Sequence, residues 1–167
     1  GAAGGIGTVA VQMARALGAQ VTAVCRGRNE QLVRSVGAGA AIDYQSVDLL
    51  SIEARFDLIY DLIGNHSPKD MKQLLAEGGR LVLASGGEGL GFLKAMQGAK
   101  KDESVDLIVD LKKDKSRLEA VLALSNAGTI VPVIAREYPF KEVASAIDYL
   151  ATKRARGKVV VNLVLND

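Results

Sequence analysis

Four of the first seven residues, GAAGGIG, are glycine, and their spacing is the part of the sequence best suited to chemistry. Gly1, Gly4 and Gly7 stand three apart, with Gly5 in addition. A loop without side chains lets backbone N–H groups close on a pyrophosphate, and a helix starting near Ile6 turns its positive end toward that anion. The last glycine allows such a helix to pack tightly on a sheet. Glycine loops also occur as plain turns. The weight therefore rests on the elements after the loop: a helical pattern, a Val-rich strand and further alternation of strand and helix. On that context Gly4, Gly5, Ile6 and Gly7 are read as a dinucleotide-phosphate loop.

The second signal lies at the end of the next strand pattern. An NAD site carries an acid about twenty residues past the loop, for the ribose 2′-hydroxyl. No acidic residue precedes Glu30, and Arg26 and Arg28 stand there instead, separated by Gly27. Guanidinium groups attract a 2′-phosphate and grip it through paired hydrogen bonds. Two solvated arginines are the plainer reading, but cations in place of the acid favour NADP(H). Tyr44 is a candidate to add a hydroxyl to the same pocket, or else a residue at the core edge.

The elements that must position these groups are legible from periodicity. Ile6, Val9, Met13 and Leu17 recur at helical spacing, and Gly18 closes the run. Residues 20–25 read as a strand, Asn29 as the cap of a helix ending near Gly37, and 40–44 as a short strand. FDLIYDLIG, 56–64, reads as a longer strand with Gly64 at its turn. Ser67 and Pro68 open a helix with Met71, Leu74 and Leu75 inward, which Gly78 and Gly79 should stop before a strand over 80–85. This alternation predicts an α/β fold with a doubly wound parallel sheet. Residues 105–111 are expected as a strand and 116–127 as a helix with Leu118, Val121 and Leu122 on its stripe. Beyond them 130–134 is expected extended, 139–150 helical and 158–165 a strand.

Composition bounds the function. The chain has 167 residues, 49% hydrophobic and 24% charged, which suits one globular domain and part of another. A net charge of +2 argues against a nucleic-acid or membrane partner, and the mixed-sign run from Lys100 to Lys115 reads as a solvated face. No apolar stretch is long enough to span a bilayer. One cysteine, Cys25, excludes an internal disulfide and points to a reducing compartment, with the cytoplasm as the expectation. Cys25 and His66, near a strand end, are read as a core residue and a loop residue rather than as reactive groups.

With GAAGGIG, VTAVCRGRNEQLVRSVGA, IDY, FDLIYDLIG, LLAEGGRLVL and RARGKVVV in this order, the chain resembles the medium-chain dehydrogenase/reductase family, most closely its zinc-independent quinone oxidoreductase branch. The resemblance implies a Rossmann domain over 1–128, and over 129–167 the returning tail of a GroES-like catalytic domain. It implies that Arg28, Tyr44 and Lys153 surround the 2′-phosphate. It also implies that Leu62, Ile63 and Gly64, with Ala84, Ser85 and Gly86, line the nicotinamide side. A first strand and an N-terminal catalytic domain are expected upstream, so the chain reads as a fragment inactive by itself. A small-molecule substrate and a homodimer through the strand near 105–111 are further implications. No residue is singled out as catalytic.

Other classes stay open on the sequence. A short-chain dehydrogenase also has such a glycine loop, and Tyr149 with Lys153 forms a YxxxK pair. Against it, DLIG stands where an NNAG-like stretch belongs, and no serine lies about a dozen residues before Tyr149. An S-adenosylmethionine-dependent methyltransferase shares the LLAEGGRLVL pattern, but wants an acid where the arginines stand. A nucleotide-binding module without chemistry is the non-enzymatic alternative.

Overall fold

The computed structural model describes residues 1–84, 103–107 and 115–163. Among the described residues seven strands lie in three sheets, and every strand pair is parallel. The chain divides into two compact units, one formed by 1–45 with 114–167 and the other by 46–113.

In the first unit the glycine loop leads into α1 (Gly7–Ala16), followed by β1 (Thr22–Cys25), α2 (Glu30–Ser35) and β2 (Ala40–Asp43). Strands β1 and β2 pair from Thr22↔Ala40 to Cys25↔Asp43. Their core is Ala3, Val11, Ala23, Cys25, Val33 and Ala38, mostly small side chains that let helix and strand approach closely. The expected α1 stripe is not the buried one. Ile6 and Leu17 are 60% and 85% exposed, whereas Gly7, Thr8 and Val11 face inward. Thr8 is fully buried, and its hydroxyl donates to Gly4 O at 3.1 Å, which satisfies it in place of water. Asn29 does stand at the α2 N-terminus but makes no capping bond, because a 3-10 turn over Gly27–Asn29 leads into the helix.

The same unit contains the later elements α4 (Lys115–Asn126), β6 (Ile134–Pro139), α5 (Val143–Ala151) and β7 (Lys158–Asn162). The strand β6 starts at Ile134, where the expected extended stretch ends, and reaches Pro139, where a helix is expected to begin; α5 starts only after a 3-10 turn over Phe140–Glu142. Pro139 stands in extended backbone at the strand end, so it closes the strand rather than opening the helix. In α4 the expected stripe of Leu118, Val121 and Leu122 is not buried, and no residue of that helix is.

The second unit runs β3 (Phe56–Asp61), α3 (Pro68–Lys72), β4 (Leu75–Leu83) and β5 (Val105–Leu107), with sheet order β3-β4-β5. Ser67 caps α3 as expected, its Oγ accepting from Asp70 N at 3.1 Å. Met71, Leu74, Leu81, Leu83 and Val105 form the core, each full burial contributing roughly 1.5–3 kcal/mol. Gly78 and Gly79 do not stop a helix. They lie inside β4, where pairing with β3 slips between Phe56 and Leu58. Gly78 has φ 73, and a Cβ on Gly79 would stand 2.8 Å from Phe56 O. The pair is thus glycine because a bulge requires it.

Candidate functional site

The glycine loop is tied to β1 by Ala2 N donating to Val24 O at 3.4 Å, and closes on itself by Gly4 N donating to Gly1 O at 3.1 Å. Thr8 N donates to Gly4 O, and Val9 N and Ala10 N to Ile6 O, which starts α1. The N–H groups of Gly5, Ile6 and Gly7 have no acceptor among the described residues. Three orphan donors thus gather at a helix N-terminus whose first turn carries no acid. That is the arrangement an anion completes. A Cβ on Gly7 would run into Gly1 O and stand 2.6 Å from Ala2 Cα, so only glycine fits there. At Gly4 the nearest obstacle is Gly1 O at 3.4 Å, an ordinary contact.

The expected arginine pocket is partly assembled. Parallel pairing continues past β1 and β2, with Tyr44 N donating to Cys25 O at 3.2 Å, and this sets Tyr44 beside Arg26. Arg26 Nε donates to Tyr44 Oη at 2.8 Å. Arg28, on the 3-10 turn, is exposed and makes no side-chain hydrogen bond or ion pair among the described residues. Asn29 Oδ1 beside it is buried and accepts from none of them. A cation and an acceptor left without partners fit a ligand that carries phosphate and hydroxyl groups.

One residue here was missed. Asp43, at the end of β2, brings a carboxylate beneath Gly27: a Cβ on Gly27 would stand 2.6 Å from Asp43 Oδ2. The same side chain accepts from Gln45 N at 3.0 Å. Looking for an acid along the strand that ends in Arg26 could not find one that arrives across the sheet. The available signal was IDY, whose aspartate stands opposite the strand end in parallel register. Cys25 lies in this core, and burial first, then the Asp43 carboxylate, raises its thiol pKa. It is an inert core residue at neutral pH.

In the second unit Leu62, Ile63 and Gly64 follow the end of β3. Asp61 Oδ1 accepts from Ile63 N at 2.8 Å and Gly64 N at 3.0 Å, and Gly64 turns at φ 73. Ala84 N donates to Asp61 O at 2.9 Å, which places Ala84 next to this turn at the carboxyl ends of β3 and β4. Ser85 and Gly86 lie outside the described residues, as do 108–111 of the expected dimer strand.

Lys153 follows α5 with left-handed backbone, φ 55, its N–H donating to Leu150 O at 2.9 Å. It stands on a different element from Arg26, Arg28 and Tyr44. Because α5 ends at Ala151, Tyr149 and Lys153 do not form an i, i+4 pair on one helix, and Arg136 lies over the Tyr149 ring at 4.1 Å. The helical spacing on which a YxxxK pair depends is therefore broken here. A groove of about 660 Å³ lined by Gln12, Arg15, Arg34 and Val133 adjoins the opposite end of α1 and includes none of the expected site residues.

A family profile described as zinc-binding dehydrogenase matches residues 36–161. The chain belongs to the zinc-binding dehydrogenase family. This agrees with the medium-chain dehydrogenase/reductase membership expected from the motif order. It is 31% identical to the mitochondrial NAD(P)H oxidoreductase RTN4IP1 of Danio rerio, over 98% of this chain and 48% of that protein. It is 32% identical to the chloroplastic NADPH-dependent alkenal/one oxidoreductase of Arabidopsis thaliana, over 95% of this chain and 38% of that protein. Among solved structures, the quinone oxidoreductase of Coxiella burnetii superposes with a TM-score of 0.83 at 26% identity, over 97% of this chain and 50% of that one. The fold is thus the Rossmann-like α/β fold with parallel sheets. The chain spans about half the length of these relatives, which are oxidoreductases by name. Despite the family's name, no three His, Cys, Asp or Glu side chains gather into a metal site among the described residues, which do not fit a zinc ion. No helix among them is long and apolar enough to cross a membrane.

Proposed function

We propose that this chain is the NADP(H)-binding portion of an oxidoreductase that passes hydride to a quinone, enone or carbonyl compound. The observation that carries this reading is the set of orphan N–H groups at Gly5, Ile6 and Gly7, with the Arg26–Tyr44 pair and unpaired Arg28 in the same unit. The names of the relatives, NAD(P)H and NADPH-dependent oxidoreductases, support a nicotinamide cofactor.

On this reading the loop N–H groups bind the pyrophosphate. Arg28 binds the 2′-phosphate, and Arg26 is held in place for it by Tyr44. Lys153 is proposed as a third contact to that phosphate. Leu62, Ile63, Gly64 and Ala84, with Ser85 and Gly86, are proposed to face the nicotinamide, in a turn shaped by Asp61. The bound nicotinamide supplies the hydride, and these residues orient it and keep water away. A small-molecule substrate, a homodimer through the β5 edge and a reducing compartment complete the proposal, as does inactivity of the chain alone.

Calorimetric titration of the chain with NADPH and NADH tests the reading. NADPH is expected to bind more tightly, and Arg28→Ala to weaken NADPH roughly tenfold while leaving NADH unchanged, since a charged hydrogen bond is worth about 1.5–3 kcal/mol. Tighter binding of NADH would overturn the phosphate assignment, and binding of neither would overturn the cofactor reading.

A further inference from the structure

An acid is set against the turn that carries the two arginines after β1. Gly27 separates Arg26 from Arg28, and a Cβ there would stand 2.6 Å from Asp43 Oδ2 and 3.3 Å from Asp43 Cγ. The carboxylate thus takes the place of the side chain that Gly27 lacks. Its own position is fixed from two sides. Asp43 pairs with Cys25 in the parallel register of β1 and β2, and its Oδ1 accepts from Gln45 N at 3.0 Å. Burial first, and then this carboxylate, raises the Cys25 thiol pKa, so its charge is felt at the end of β1. Arg26 Nε is engaged with Tyr44 Oη at 2.8 Å, and Arg28 forms no side-chain hydrogen bond or ion pair among the described residues. Asp43 is partly exposed. Two cations and one anion therefore meet around a single glycine.

We infer that Asp43 is a specificity-determining residue of the cofactor site, its carboxylate opposing the 2′-phosphate of NADPH and accepting from the adenosine ribose of NADH. The inference rests on the dinucleotide reading, in which Arg28 binds that phosphate, and adds to it a charge of the opposite sense. NADH and NADPH differ at one ribose position. NADH has a hydroxyl there, a donor that a carboxylate accepts. NADPH has a phosphate monoester with a charge of about −1.5 to −2 at pH 7, which a carboxylate repels. An NAD site draws its acid from the strand that follows the first helix. Here the acid arrives across the sheet, from the next strand, beside the arginines that occupy the usual place. A charge set against one ligand and a hydrogen bond offered to the other both contribute to a difference in affinity. The arginines outweigh the acid, so NADPH is preferred, but by less than two cations alone would give.

The test titrates the 167-residue chain and its Asp43→Asn variant with NADPH and with NADH. Asparagine keeps the size and an oxygen for Gln45 N, and removes only the charge. D43N is expected to weaken NADH roughly tenfold, the worth of a hydrogen bond to a charged group, and to leave NADPH as tight or tighter. The ratio of NADPH to NADH affinity therefore rises, whereas Arg28→Ala lowers it. The double variant is expected to fall between the two. Gly27→Ala, which crowds the carboxylate out of its place without removing it from the protein, is expected to raise the ratio as well. A ratio that stays at its wild-type value in D43N would overturn the inference while the phosphate assignment to Arg28 stands. Equal weakening of both cofactors would also overturn it, by showing a lost fold rather than a lost charge. A wild-type chain that binds neither cofactor would overturn the dinucleotide reading and the inference together.

Discussion

Gly4 and Gly7 sit three residues apart in one loop, yet they are glycine for different reasons. At Gly7 the obstacle to a side chain is the protein itself, the backbone of Gly1 and Ala2. At Gly4 the protein leaves room for a Cβ, so on the proposed dinucleotide reading the constraint is the ligand's. In a free helix, alanine is favoured over glycine by about 1 kcal/mol, but forced overpacking costs about 1–3 kcal/mol. Gly7→Ala is accordingly expected to lower stability by about 2 kcal/mol and to abolish NADPH binding. Gly4→Ala should keep stability within about 0.5 kcal/mol and still weaken NADPH at least tenfold. Urea denaturation and titration of the two variants check this, and equal destabilisation by both would contradict it. At this scale the sequence singles out Gly4, Gly5, Gly7, Arg26, Arg28 and Tyr44 as candidates, because loop and strand-end chemistry is local in sequence. Asp43 is not among them. It comes to the end of β1 through strand pairing, which leaves no mark in the spacing of the residues around the loop.

Among the elements, α1 holds the unit together by an unusual side-chain bond. Gln12 Nε2 donates to Val131 O at 3.0 Å while its Oε1 accepts from Val131 N at 2.8 Å, so one amide side chain pairs with a backbone as a neighbouring strand would. Nε2 also donates to Thr8 O at 3.0 Å. Val131 precedes β6, whose partner β7 begins at Lys158, directly after Gly157. Gln12→Ala is expected to cost about 0.5–1.5 kcal/mol, since water replaces the lost bonds to the exposed backbone of Val131 only in part. It should also weaken NADPH and NADH equally, through loss of the β6–β7 docking. An unchanged denaturation midpoint would contradict that role. Sequence periodicity gave the alternation and most of the elements, since strands and α3 carried clear apolar patterns and caps. It misplaced the start of β4, because a glycine pair in a bulge reads like a helix stop. It misplaced β6, because the apolar run 130–134 ends where the strand begins. The polar-looking IAREYP strand alternates without a strong apolar face, and Ile134 at its start is exposed.

At the scale of the whole molecule, each unit has its own core, and no described strand hydrogen-bonds to both β1 and β3. The adenosine and pyrophosphate half of the proposed cofactor site belongs to the first unit alone, so this half can be tested without reference to the second. The most direct measurement is an amide spectrum of the ¹⁵N-labelled chain titrated with NADPH and then, separately, with NADH. The Gly5, Ile6 and Gly7 signals are expected to shift with both cofactors, because their orphan N–H groups gain a diphosphate acceptor. The Arg28 signal and its neighbours are expected to shift with NADPH much more than with NADH. Glycine-loop signals that stay in place at saturating NADPH would contradict the account.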